Sequence, residues 1–196
     1  MLVNDSEKQL LIVPMKCGSS SYRTLYANNP QWTDFSKVQH LDDLPLTGAA
    51  KIYKIFELTN RNINEYSTTL IVRDPVQWLV SGYRFLQLMH NPRAPWYPKS
   101  ISSHLKKVYR DDRSDLFFSD HCSVMPDQYY IKGCNVQRLE QLNLSVKENT
   151  TPDKIPYPKL DEKSINLITK ITKNYCQLFS YDIEKSIKYY NKEILK

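Results

Sequence analysis

Residues 11–23, LIVPMKCGSSSYR, run from an apolar stretch through Lys16 into a Gly/Ser loop that reads as the start of a helix. A strand, loop and helix in that order make an anion site out of backbone. The first N–H groups of a helix have no intrahelical acceptor, and the macrodipole is positive at that end. Lys16 adds a mobile cation, and Ser19, Ser20 and Ser21 add hydroxyl donors and helix caps. The spacing is not that of the nucleotide loop G-x-x-x-x-G-K-[ST], because Lys16 precedes Gly18 and no glycine stands upstream of it. An ATP or GTP loop is therefore disfavoured. The alternative reading of Lys-x-Gly-Ser-Ser is an ordinary capped helix.

A second stretch repeats the design. Residues 68–86, TTLIVRDPVQWLVSGYRFL, give a β-branched strand, a turn at Asp74-Pro75 and a helix, with Arg73 closing the strand and Ser81 eight residues further on. A guanidinium fork and a hydroxyl suit a terminal phosphate. A salt-bridging strand end and a small residue at a helix contact would carry the same letters. The chain has four glycines, and two of them, Gly18 and Gly82, fall in these two stretches, where backbone must approach a ligand or a neighbour closely.

Taken together and in this order, the two stretches resemble the sulfotransferases that use 3′-phosphoadenosine 5′-phosphosulfate. The first is similar to the family's 5′-phosphosulfate loop, a Lys heading a short Gly/Ser/Thr loop directly after the first strand. The second is similar to its 3′-phosphate element, Arg-Asp-Pro followed by a Ser and a Tyr at the spacing of Arg73, Ser81 and Tyr83. Many relatives carry a second Arg three residues after the Pro, where this chain has Trp78. In the second half, Asp120-His121, then Pro126, Asp127, Gln128 and Tyr129, then CNVQRLEQL at 134–142, resemble a segment of the carbohydrate sulfotransferases.

The resemblance implies a P-loop-related α/β fold and a donor nucleotide held by Lys16, Cys17, Gly18, Ser19, Ser20, Ser21, Arg73 and Ser81. It implies adenosine 3′,5′-bisphosphate as product and a hydroxyl acceptor, that of a carbohydrate. No metal is expected, since the cations are built in. Lys16 is the natural electrostatic catalyst. Relatives place a Glu or His near the second strand as base. Here Glu57 takes that position at the end of a strand over Lys51–Glu57, with His40 upstream as the alternative. Glu57 is equally readable as an exposed strand end paired with a nearby Lys. His121 either touches acceptor or cofactor or caps a loop.

The rest of the chain sets bounds. At 196 residues it suits one domain spanning 1–196, and 41% hydrophobic residues with 12% aromatics argue for a packed core rather than disorder. Strands are expected at Gln9–Met15, Lys51–Glu57, Thr68–Arg73 and Asn135–Leu139, and helices at Ser20–Ala27, Val76–His90, from Asp161 and from Tyr181-Asp182. That alternation predicts an α/β fold, a central parallel sheet flanked by helices, with ligands at the carboxyl ends of its strands. Residues 91–100, NPRAPWYPKS, read as a loop, either a lid over the site or a surface connection. Ile165, Ile168, Ile171, Tyr175 and Leu178 recur at helical spacing as core, and His90 and His104 read as surface.

The net charge of +6 raises nucleic acid as a partner, but Lys and Arg are dispersed, the densest cluster being Lys106, Lys107, Arg110 and Arg113. No nucleic-acid module accompanies them, and a polyanionic nucleotide or an anionic glycan accounts for the charge equally well. No apolar run reaches a membrane span, and Met1–Gln9 lacks the pattern of a secretory leader, so a cytoplasmic setting is expected. Cys17, Cys122, Cys134 and Cys176 show no C-x-x-C spacing, which disfavours zinc. Reduced thiols are expected, with a Cys122–Cys134 disulfide open in an oxidising compartment. Two other functions fit parts of the pattern: a small-molecule kinase with a divergent phosphate loop, and a non-catalytic nucleotide- or glycan-binding module.

Overall fold

Asn4 sets the first turn of the chain. Its Oδ1 accepts from Ser6 Oγ at 2.8 Å and from the Glu7 N–H at 3.1 Å, and Lys8 then takes a left-handed φ of 53°. The turn joins β1 (Leu2–Asn4) to β2 (Gln9–Ile12) as an antiparallel hairpin, Leu2 opposite Leu11. The computed structural model describes residues 1–14, 16–26, 28–35, 48–89, 93, 97–110, 131, 133–142 and 155–195. These gather into two compact units, Met1–Val72 with Pro126–Asn149, and Arg73–Met125 with Thr150–Lys196.

The first unit is built on one sheet. β3 (Trp32–Asp34) pairs antiparallel with β1, while β2 runs parallel to β4 (Ser67–Val72), Ile12 opposite Leu70. β4 runs parallel to β5 (Asn135–Arg138), Val72 opposite Arg138, and the strand order is β3-β1-β2-β4-β5. The sheet is therefore mixed: the expected parallel arrangement holds for β2, β4 and β5, and the β1–β3 pair extends it antiparallel. Leu10, Leu11, Ile12, Leu70, Ile71 and Val72 are all buried, the continuous apolar run of strands covered on both faces.

Among the described residues this unit carries two α-helices, α1 (Ser19–Tyr26) and α2 (Gly48–Leu58). The second corrects the sequence reading, because Lys51–Glu57 is helical and not a strand. Ile52, Ile55 and Phe56 are buried while Tyr53, Glu57 and Leu58 are exposed, a period of 3.6 and not 2. The β-branched and aromatic letters favoured a strand, and packing of the i, i+3, i+4 face overrode them. The helix closes in a Schellman motif, with Asn60 at φ 53°, its N–H on the Glu57 carbonyl at 3.1 Å and the Arg61 N–H on the Phe56 carbonyl at 2.8 Å.

The second unit is helical: α3 (Pro75–Leu88), α4 (Ile101–Tyr109), α5 (Glu162–Phe179) and α6 (Ile183–Tyr189), the last running into a π-helical stretch at Tyr190–Ile194. Asp74, Ser100, Asp161 and Asp182 cap the four helices through side-chain oxygens. Before α4, the Gln87 amide donates to the Pro98 carbonyl, and Tyr97 Oη donates to Gln87 Oε1 at 3.0 Å, which ties the end of the proline-rich stretch to α3.

His104, expected at the surface, is completely buried on α4 beside Ile101 and Leu105, the same i, i+3, i+4 arrangement. Burial pushes its pKa down to about 4 against the Leu79 backbone, which favours the charged form, and Lys107 adds to the depression. The ring is neutral at pH 7. His90 lies outside the described residues. Cys17, Cys134 and Cys176 are free thiols, and Cys122 lies outside the described residues.

Candidate functional site

The turn after β2 is held by its backbone. The Cys17 N–H donates to the Pro14 carbonyl at 3.1 Å, Lys16 sits at φ 65°, and Gly18 at φ 83° leads into α1, whose first bond runs from the Tyr22 N–H to the Gly18 carbonyl at 3.0 Å. A left-handed Gly18 costs little, whereas a left-handed Lys16 costs roughly 1–2 kcal/mol. Strain of this kind in a non-glycine residue gathers at ligand-binding turns. The Cys17 side chain is fully buried, so only its backbone belongs to the turn, while Lys16, Ser19 and Ser20 are half-buried and Ser21 is buried.

The second element begins where β4 ends. Arg73 follows Val72, and its peptide groups meet the hydroxyl of Tyr175 twice: Oη donates to the Arg73 carbonyl at 2.8 Å and accepts from the Arg73 N–H at 3.1 Å. Asp74 then caps α3, its Oδ1 accepting from the Gln77 N–H at 3.0 Å, and Pro75 opens the helix with its φ already set. Trp78 is buried, and its ring meets that of Tyr175 edge-on at 5.5 Å between centroids. Core packing thus takes up the Trp78 side chain. Ser81 is half-buried on α3. Tyr83 turns its ring toward His104 at 5.9 Å, and its hydroxyl pKa is raised by burial and by Tyr97.

Lys16 to Ser21 therefore belong to the first unit, and Arg73 and Ser81 to the second. The strands that lead into the two turns, β2 and β4, are adjacent and parallel within the first unit. Arg138 ends β5 opposite Val72 and puts a basic residue at the carboxyl end of that strand.

Glu57 does not share that edge. It lies in the last turn of α2, exposed, with Lys54 Nζ at 2.8 Å from its carboxylate, and lines a groove with Asp5, Lys8, Arg61 and Glu65. The groove sits at the amino ends of β2 and β4, where Gln9 is opposite Ser67. Its charges are mutually satisfied. Arg61 forks onto Asp5 at 2.8 and 2.7 Å, Tyr66 Oη also donates to Asp5, and Lys8 pairs with Glu65 at 3.0 Å. The Arg61 guanidinium holds the Asp5 pKa down to about 2. The strand-end premise for Glu57 as base is accordingly removed. His40 and His121 lie outside the described residues, as do Asp120 and Pro126–Tyr129.

Sequence reading passed over Tyr175, placing it in the core stripe with no polar task. The available signal was a tyrosine, with a hydroxyl that needs a partner, in an otherwise aliphatic stripe.

No family model matches the chain, and no solved structure matches it. A stretch of 73 residues is 34% identical to carbohydrate sulfotransferase 10 of Xenopus laevis, covering 35% of this chain and 20% of that protein. The likeness is to a carbohydrate sulfotransferase, in part. Among the described residues no helix is long and apolar enough to cross a membrane.

Proposed function

We propose that this chain is a sulfotransferase that moves a sulfuryl group from 3′-phosphoadenosine 5′-phosphosulfate to a carbohydrate hydroxyl. The observation that carries the reading is the pair of turns at Lys16 and Arg73, which follow two adjacent parallel strands. The partial likeness to a carbohydrate sulfotransferase supports it.

Such a reaction asks the protein for alignment and charge stabilisation. The acceptor oxygen forms a bond to sulfur as the sulfur's bond to the phosphosulfate bridging oxygen breaks, and the electron pair leaves with the 5′-phosphate. Lys16 stabilises the charge that develops on that bridging oxygen, and the Gly18–Ser21 backbone and hydroxyls hold the 5′ side. Arg73 and Ser81 fix the 3′-phosphate, one as a fork and one as a single donor. The acceptor's proton goes to a base, and of the candidates Glu57, His40 and His121 this reading prefers a histidine, since Glu57 is exposed beside Lys54. In this reading the acceptor is a glycan, and nucleic acid is not a partner.

Thermal shift separates this from the other functions. Adenosine 3′,5′-bisphosphate at roughly 100 times its dissociation constant is expected to stabilise the protein by about 2.7 kcal/mol. Adenosine 5′-phosphate at the same concentration is expected to give much less. Equal shifts with the two nucleotides defeat the role of Arg73 and Ser81. A larger shift with ATP and Mg²⁺ identifies a kinase, and a shift with heparin alone identifies a glycan-binding module.

A further inference from the structure

The buried polar contact least explained by packing alone is the one between Tyr175 and the backbone of Arg73. Tyr175 is wholly inaccessible, and three rings fix its phenol: Trp78 edge-on at 5.5 Å, Phe179 edge-on at 4.7 Å and Tyr181 stacked at 5.8 Å. The end of α5 that carries it is closed by Ser180 at φ 54° and by the Tyr181 N–H on the Cys176 carbonyl at 3.0 Å. Its hydroxyl bridges the N–H and the carbonyl of a single residue, and that residue is Arg73.

We infer that Tyr175 is a positioning residue for Arg73, one that fixes the direction in which the guanidinium leaves the chain and so the discrimination of the 3′-phosphate. The inference deepens the sulfotransferase reading and rests on it. Bonding at both peptide groups of Arg73 restrains its φ and ψ together. Asp74 as cap and Pro75 with its locked φ restrain the residues that follow. A fork that binds a phosphate with two parallel bonds is sensitive to this kind of restraint, because a small rotation at Cα displaces its tip far more than its base.

The test compares the wild type with Tyr175→Phe, which keeps the ring and removes both bonds, and with Phe179→Leu, which loosens the ring cluster and keeps the hydroxyl. Dissociation constants are measured for adenosine 3′,5′-bisphosphate and adenosine 5′-phosphate, and hydrogen exchange is followed at the Arg73 amide. In Tyr175→Phe the preference for the bisphosphate is expected to fall roughly tenfold, the size of two neutral hydrogen bonds of which part is recovered from water. The affinity for adenosine 5′-phosphate stays as it was, and the Arg73 amide exchanges faster. Phe179→Leu melts lower but keeps the preference.

An unchanged preference in Tyr175→Phe overturns the inference, as does an equal loss in Phe179→Leu. A wild type that binds both nucleotides equally defeats the sulfotransferase reading instead, and the clamp is then decided by the amide. Exchange unaltered by Tyr175→Phe overturns it, and faster exchange in that variant alone upholds it. If Tyr175→Phe does not fold, the wild-type amide decides: exchange at Arg73 as fast as in an unprotected peptide overturns the clamp, and protection matching the α3 core supports it.

Discussion

The guanidinium of Arg84 holds the carbonyl of Ile155 from two of its nitrogens, Nε at 2.9 Å and Nη2 at 2.6 Å, while its carbon lies 3.7 Å from the centre of the Tyr157 ring. Arg84 is 4% exposed, so these contacts are made away from water. Tyr190 fixes the same segment, its hydroxyl donating to the Pro158 carbonyl at 2.7 Å. One charged helix residue and one C-terminal tyrosine thus hold the irregular connection that leads into α5.

Arg84→Ala is therefore expected to destabilise the protein by about 3 kcal/mol, the sum of a charged hydrogen-bonding group and a desolvated cation–π contact. In a chain of this length that corresponds to a melting point lower by roughly 6–12 °C. Arg84→Lys recovers little, since an ammonium reproduces neither the planar fork nor the stacking. Calorimetry of the three proteins checks this, and a loss under 1 kcal/mol in Arg84→Ala contradicts it.

Glu57→Gln is expected to be nearly silent. The carboxylate is exposed, its partner Lys54 lies one turn away on the same helix, and exposed pairs of this spacing contribute about 0.3–0.5 kcal/mol. Turnover with any accepted sugar should stay within twofold of wild type. A general base costs about 10² to 10⁴ in rate when removed, so a loss of that size with bisphosphate affinity intact would return Glu57 to the catalytic set.

The contrast between Glu57 and Arg73 shows which parts of the fold were legible in the sequence. The turns at Lys16 and Arg73 were readable because each carries local punctuation, a Gly after an apolar run or an Asp-Pro before a helical one; α1 and α3 start, and β4 stops, within a residue or two of those marks. Segment 51–57 has no such mark, and its β-branched letters concealed a helical period. β1 is three residues long, too short to show any period, and exists through pairing with β2 on one side and β3 on the other. His104 failed for a related reason: it lies on an apolar helical stripe whose burial depends on what packs against it, which no local pattern encodes. Tyr175 is buried as expected, and only the partner of its hydroxyl, 102 residues away in the chain, was not legible.

Between pH 7 and 4 the stability of the protein should follow His104. Its folded pKa of about 4 lies below the ordinary 6.5, so the unfolded chain takes the proton first. Stability is then complete above pH 6.5 and falls as the pH drops toward 4, by close to 1.36 kcal/mol per unit in the middle of that window, or about 2 kcal/mol by pH 5. Asp5 acts elsewhere: with its folded pKa held at about 2, its contribution is present above its ordinary 3.8 and lost below it. Denaturant unfolding across the range, repeated with His104→Gln, checks the assignment, because the variant should flatten the profile between pH 6.5 and 4. A slope that survives the substitution assigns the effect to another group.

Lys16 offers a test in which backbone and charge pull in opposite directions. At φ 65° any L-residue is strained, so Lys16→Ala removes the ammonium and keeps the strain, whereas Lys16→Gly removes both. Lys16→Gly should be the more stable of the two variants by about 1 kcal/mol, less whatever freedom glycine adds to the unfolded chain. Turnover should fall in both by a similar factor, of the order of 10² to 10³ for one lost donor at a developing oxyanion. Release of adenosine 3′,5′-bisphosphate gives the rates and calorimetry gives the stabilities. If Lys16→Gly keeps a wild-type rate, the turn supplies its backbone alone and the ammonium has no part in the transfer. If Lys16→Gly melts lower than Lys16→Ala, the left-handed conformation is no burden to the fold, and strain at this turn cannot be counted as a mark of its function.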